Sequence, residues 1–235
     1  MTVSSKPTDL LRADFSRREV VDTNQIAWLA SPKAGVDRRM LDRIGDEVAR
    51  ATTIVRYVPA SSFPAHTHGA GEEFLVLDGV FSDEHGDYPT GTYVRNPPGS
   101  QHTPRTDGGC TIFVKLRQMR EDDVDRVVVA PDSLSWRPTG TEGYERAALF
   151  SRADGSEDVT MERLAKGAST APYVCDGGEE ILVINGTLED EGGSYEPGTW
   201  LRSPDGHRHG LSSSEGCMFW VKRGHLTAKN PAVDA

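Results

Sequence analysis

Cysteine is scarce in this chain. The three residues present, Cys110, Cys175 and Cys217, are odd in number and widely spaced among 235 residues, which gives no disulfide framework. Basic charge is in deficit: 26 Lys and Arg against 36 Asp and Glu leave a net charge of −10. A surface that follows a nucleic-acid backbone needs the opposite balance, so nucleic acid is not an expected partner. No apolar run is long enough to span a bilayer, and the first residues lack the apolar core of a signal peptide. No membrane partner is therefore expected, and the expected location is the cytoplasm. There is no Ser/His/Asp set, no phosphate loop and no dinucleotide fingerprint. Glycine (24) and proline (14) are plentiful. They punctuate many short strands joined by tight turns, so the expected fold class is all-β.

The chemistry concentrates between His66 and His102. Phe63 to His68 reads as extended, and residues two apart on a strand share a face, so His66 and His68 project side by side. Gly69-Ala70-Gly71 is a turn. The strand that follows, Glu72 to Leu77, is expected to end in a turn at Asp78-Gly79 and to place Glu72, Phe74 and Val76 on the face of the two histidines. Pro97-Pro98-Gly99 forms a fixed corner just before His102. Three imidazoles and one carboxylate suit zinc or iron(II), with manganese and nickel as alternatives; one divalent ion per chain is expected.

These residues resemble the two motifs of the cupin superfamily. The first motif is matched by His66, His68, Glu72 and Gly79, the second by Gly91, Pro97, Gly99 and His102. Thr106 stands where the second motif ends in Asn, at a non-ligand position. Glu73 is an alternative ligand under looser spacing; Glu72 fits both the distance to Gly79 and the strand phase. Residues 28–120 further resemble the cupin domain of ChrR-type anti-sigma factors, notably at Ala49–Tyr57, Phe63–His68, Glu72–Leu77, Phe81–Tyr88 and Tyr93–Ser100. The resemblance implies a jelly-roll β-barrel that binds zinc and responds to singlet oxygen or peroxides. In that family sigma binding belongs to a separate helical N-terminal domain with its own His and Cys zinc ligands. Residues 1–27 contain neither residue type, so that activity is not expected to carry over.

The second half repeats the first at an offset of 107 residues. Glu72 matches Glu179, Gly79 matches Gly186, Gly91 matches Gly198, Gly99 matches Gly206, His102 matches His209 and Cys110 matches Cys217. The expected architecture is therefore two tandem cupin barrels, a bicupin. Its expected division is a flexible tail or exchanged edge strand at 1–20, an N-terminal barrel at 21–125 and a C-terminal barrel at 126–235. The repeat breaks at the ligands, where His66 becomes Tyr173 and His68 becomes Cys175. Either the second barrel has lost its metal, or Cys175, Glu179 and His209 form a second site.

Other segments carry milder expectations. Met40–Gly45 is open between helical turn and strand. Val48–Val58 and Cys110–Arg117 read as strands, and Phe81–Tyr88 as an acidic loop or strand. His85 and His207 read as surface residues, His225 carries little weight, Cys110 and Cys217 read as core, and Glu121-Asp122-Asp123 as solvated linker. The expected pocket lining is Tyr57, Phe74, Val76, Tyr93 and Ile112. Three functional classes remain open: a zinc-binding sensor or regulatory protein, a mononuclear non-haem iron dioxygenase acting on a small diketone or hydroxylated aryl ketone, and a small-molecule binder or isomerase. The expected partners are a metal ion and a small-molecule ligand; a homodimer and a monomer in which the two repeats pair within one chain both remain open.

Overall fold

The computed structural model describes residues 10–46 and 48–226. Residues 1–9 of the expected N-terminal tail and 227–235 of the expected C-terminal barrel lie outside them. Two antiparallel sheets dominate, and they repeat one another. The first runs Leu10–Leu11, Val36–Ile44, Arg50–Tyr57, Cys110–Leu116, Glu72–Asp83, Tyr93–Asn96 and Val127–Val129. The second runs Arg137–Pro138, Tyr144–Ser151, Asp158–Leu164, Cys217–Arg223, Glu179–Gly186, Thr199–Ser203 and Glu19–Asp22. The architecture is thus all-β with two cupin-like repeats. Met40–Ile44 is strand, and Phe81–Tyr88 is a hairpin formed by Glu72–Asp83 and Gly86–Pro89.

The outermost strands are exchanged. Glu19–Asp22 pairs with Thr199–Arg202 of the second sheet, while Val127–Val129 pairs with Tyr93–Arg95 of the first. The two segments are themselves related by the 107-residue offset. Pairing therefore interlocks the two halves, and each exchanged strand covers an edge that would otherwise offer unpaired backbone to another chain.

Side-chain alternation builds three cores. Phe74, Val76, Phe81, Ile112 and Val114 fill the first barrel, and Ile181, Val183, Phe219 and Val221 the second. The opposite strand faces meet between the barrels, where Leu75, Phe113, Leu182, Trp200 and Trp220 are buried together. Phe113 and Trp220, equivalent positions of the repeat, touch edge-to-face at 5.0 Å, which places them on the approximate two-fold axis. Tyr93 belongs to this interface and not to the barrel pocket: its hydroxyl donates to Glu73 at 2.7 Å. It pairs with Leu75, on the face opposite Phe74, so the expected pocket role for Tyr93 is corrected by strand phase.

The interface also holds charge. Lys115 donates to Glu180 at 2.7 Å, and Lys222 reciprocally to Glu73; all four side chains are nearly inaccessible to solvent. Glu180 also accepts from Trp200 at 3.0 Å and from His225 at 2.9 Å. His225, expected to carry little weight, is instead buried in this interface. Asp123 is no solvated linker residue either: it pairs with Arg95 at 2.7 Å and with Arg152. Buried ion pairs of this kind add little net stability, but removing one partner strands a charge, which ties the barrels into one register.

One glycine fixes the local geometry. Gly79 has φ +73°, and a Cβ there would lie 2.1 Å from the Gly109 carbonyl oxygen. The Asp78-Gly79 segment is not the turn the sequence suggested. The strand continues to Asp83, with a shift of register between the Val76 and Asp78 pairs that leaves Leu77 as a bulge. A bulge adds one residue and reverses the in–out alternation. Phe81 and Asp83 consequently point into the barrel.

Candidate metal centre

Backbone pairing assembles the centre. His66–Thr67 pairs with Gln101–His102, setting His102 directly opposite His66. The corner at Pro97–Gly99 closes on the same loop: Gly99 N–H donates to the His68 carbonyl at 2.8 Å, and His68 N–H to the Ser100 carbonyl at 2.9 Å. Glu72 enters from the start of the adjoining long strand. The three imidazole centroids lie 4.6–5.1 Å apart, and one donor atom from each of His66, His68, Glu72 and His102 falls within 4.8 Å of every other. Of the four, only His66 is half-exposed.

The rings are oriented from behind. Nδ1 of His66 meets the Pro64 carbonyl at 3.2 Å, Nδ1 of His68 meets Ser100 Oγ at 3.0 Å, and Nδ1 of His102 meets Asp83 Oδ2 at 3.2 Å. The rings of His68 and His102 thus turn Nε2 toward Glu72. Burial alone would raise the Asp83 carboxyl, but hydrogen bonds from His102, the His85 N–H and Tyr88 hold it down at about 2. Desolvation lowers the His68 pKa, favouring the neutral, ligating form. Sequence reasoning missed Asp83, although the repeat carried the signal: its counterpart Asp190 meets His209 Nδ1 at 3.3 Å. Asn96, which donates to Glu72 at 3.4 Å, was missed as well.

The donors fit a metal ion better than they fit one another. Nε2 of His68 and of His102 are buried and have no hydrogen-bond partner. They stand 3.7 and 3.6 Å from the Glu72 carboxylate, too far for a hydrogen bond and right for neighbours in one coordination sphere. An unsatisfied buried polar atom costs about 1–3 kcal/mol, so two converging on one carboxylate mark a place for a cation. The three-nitrogen, one-oxygen set suits a divalent transition ion. A cavity of about 460 Å³ adjoins these residues, lined by Tyr57, Phe63, Val55, Ile112, Val114 and Leu116 among others. Of the residues expected to line a pocket, Tyr57 and Ile112 are on this wall. Phe74 and Val76 pack in the barrel core instead and do not reach the cavity wall.

The second barrel solves the same position differently. Cys175, Glu179 and His209 converge, but they bond to each other: His209 Nε2 meets Glu179 at 2.9 Å and Cys175 Sγ at 3.5 Å, and Tyr173 donates to Glu179 at 3.0 Å. Arg223, whose counterpart is Leu116, donates to Glu179 at 2.7 Å and to Glu162 at 2.6 Å. Glu162 in turn replaces Val55 of the first barrel. Burial would lower the His209 pKa, yet hydrogen bonds to Asp190, Cys175 and Glu179 push it up to about 11. The Arg223 guanidinium thus stands between Glu162 and Glu179, where the first barrel has no cationic side chain. His85 is exposed and His207 half-buried, while Cys110 and Cys217 are core residues.

Comparison with known proteins agrees with this architecture. No curated protein sequence matches the chain. Among solved structures, a protein from Nostoc punctiforme described as a candidate dioxygenase superposes with a TM-score of 0.75 at 15% identity, covering 92% of this chain and 86% of its own. YlbA of Escherichia coli gives 0.68 at 13% identity, over 96% and 97%. The oxalate decarboxylase of Lactobacillus farciminis, solved with formate, gives 0.62 at 10% identity, over 88% and 86%. At these identities the likeness is one of fold. The model of the ChrR cupin-like domain matches twice, over residues 16–120 and 124–227, and with that the chain belongs to the ChrR cupin-like family, as a tandem pair of its domains.

Proposed function

We propose that the first barrel holds a single divalent metal ion through His66, His68, Glu72 and His102, and that the protein is a metal-dependent small-ligand binder acting in sensing or regulation. The observation that carries this reading is the pair of buried, unpartnered Nε2 atoms facing Glu72 beside an accessible cavity. The ion would supply a Lewis acid that an oxygen donor in the cavity can reach. The protein's own residues do the rest. Asp83, Ser100 and the Pro64 carbonyl hold the imidazoles in orientation, and Asn96 steadies Glu72. The second barrel takes no metal, because Arg223 and His209 supply the positive charge there.

Zinc is the first choice, since three histidines and a glutamate make a four-coordinate set that can expand to five when an oxygen donor enters from the cavity. The half-exposed His66 and the adjoining cavity also support a second reading, in which iron(II) with the same ligands keeps coordination positions open for oxygenase chemistry on a small ketone. Cobalt(II) substitution tests the common core. The wild type should show ligand-field absorption that small oxygen donors perturb, and His68→Ala should show none. Oxygen uptake by the iron-loaded protein with diketones would select the second reading; its absence, with ligand-perturbed cobalt spectra, would select the first. Cobalt bands that survive in His68→Ala would refute both.

A further inference from the structure

The cavity beside the metal centre is lined by two arginines that have no acidic partner among the described residues. Arg38 sits opposite Val55 on the neighbouring strand, and its Nε is buried without a hydrogen-bond partner. The second barrel shows how unusual this is. There Arg146, opposite Glu162, pairs with Glu162 at 2.6 Å and with Asp158 at 2.7 Å. The offset of 107 puts Val55 and Ala51 at the places of those two acids, while on the neighbouring strand, where cross-strand pairing shifts the offset to 108, Arg38 takes the place of Arg146. The first barrel keeps the arginine and lacks both carboxylates.

Arg117 is the second. It has φ +56°, a left-handed conformation, and its repeat counterpart is Gly224 at φ +83°. A backbone that calls for glycine thus carries a long cationic side chain, in a conformation strained for any residue with a Cβ. The guanidinium lies over Gly69, next to His68; a Cβ on Gly69 would come within 2.8 Å of Nη1. Among the described residues, neither Arg38 nor Arg117 has a hydrogen-bond acceptor or a carboxylate partner. Both line the cavity that His66, His68 and Glu72 also line, and its walls are otherwise largely apolar: Val36, Val55, Ile112 and Val114.

We infer that this cavity binds a small organic carboxylate, with the anionic group held by Arg38 and Arg117 and an apolar body against the valine and isoleucine wall. A planar guanidinium matches a carboxylate in geometry and charge, and strain retained at Arg117 is accounted for by a ligand it must reach. The apolar walls exclude a bare inorganic anion as the preferred occupant. The inference deepens the proposed function and rests on the first barrel's being the ligand-binding one.

Calorimetry on the full chain, loaded with zinc, tests it with hexanoate and benzoate as probes and with benzamide and inorganic phosphate as controls. Saturable binding of the carboxylates alone is expected. Arg117→Gly and Arg38→Gln should each weaken it roughly tenfold or more, the loss of one charge-assisted contact. Arg117→Gly restores the residue the repeat uses and should melt no lower than the wild type, so lost binding there is not misfolding. Zinc content should be unchanged in both variants. Absence of carboxylate binding in zinc-replete protein, equal affinity in the variants, or equally tight phosphate or benzamide would overturn the inference while leaving the metal centre intact. If the protein takes up no zinc, the metal reading fails, and the same titration of metal-free protein decides the arginine subsite by the same criteria.

Discussion

Replacing Arg223 by Leu installs the first barrel's residue in the second. Arg223 is the shared cation between Glu162 and Glu179, whose side chains are fully inaccessible to solvent. The substitution leaves Glu179 with His209 and Tyr173, and Glu162 with Arg146 and Tyr144. Breaking a buried pair from one side costs about 3–5 kcal/mol, because the remaining charge stays desolvated. In a domain of this size each kcal/mol moves the melting temperature by about 2–4 °C, so a fall on the order of 10 °C is expected. The double variant Glu162→Val, Arg223→Leu removes both charges and matches the first barrel at both positions. Replacing a buried pair by apolar residues is often close to neutral, so the double variant should recover at least half of the loss. Urea unfolding followed by tryptophan fluorescence reads both, since Trp200 and Trp220 are buried between the barrels. A single variant that loses less than about 1 kcal/mol, or a double variant no better than the single, would show that Arg223 does not stand in for a cation there.

Three further outcomes follow from the geometry. Asp83→Asn keeps the size of the side chain but weakens the hold on His102 Nδ1, so metal affinity should fall by about 10–100-fold with the fold retained; unchanged affinity would leave Asp83 without a positioning role. His225 is lowered from 6.5 to about 4 by burial, against its hydrogen bond to Glu180. The unfolded chain takes up this proton near 6.5 and the folded chain only near 4, so stability is lost as pH falls through that window, by up to about 3 kcal/mol. A His225→Gln variant whose unfolding free energy shows the same slope between those pH values would refute the assignment. Gly79→Ala should cost several kcal/mol, on the order of a severe core defect, because the Cβ meets the Gly109 carbonyl as well as an unfavourable φ; melting within a few degrees of the wild type would contradict that geometry.

The residues that converge at the centre were legible because their spacing and strand phase encode convergence directly. His66 and His68 share a face, Glu72 opens the next strand, and a Pro-Pro-Gly corner delivers His102. The repeat was legible because its offset is constant from Glu72 to Cys110. What stayed hidden depends on events that alternation cannot express. The bulge at Leu77 reverses the phase and carries Asp83 inward, behind a glycine that reads as a turn. The interface residues Tyr93, Asp123 and His225 are polar or peripheral in sequence, and only the face-to-face packing of the two barrels buries them. The exchanged strands Glu19–Asp22 and Val127–Val129 are four and three residues long, too short for their partner to be read from pattern. The changed ligand set of the second barrel shows at Tyr173 and Cys175, but the buried charges that accompany it, Glu162 and Arg223, lie far from the motif in sequence.

Metal analysis of protein purified without a histidine tag bears most directly on the central claim. About one divalent ion per chain is expected in the wild type, close to none in His68→Ala and His102→Ala, and an unchanged content in Cys175→Ala. Metal that persists when those two histidines are removed, or that leaves with Cys175, would contradict it.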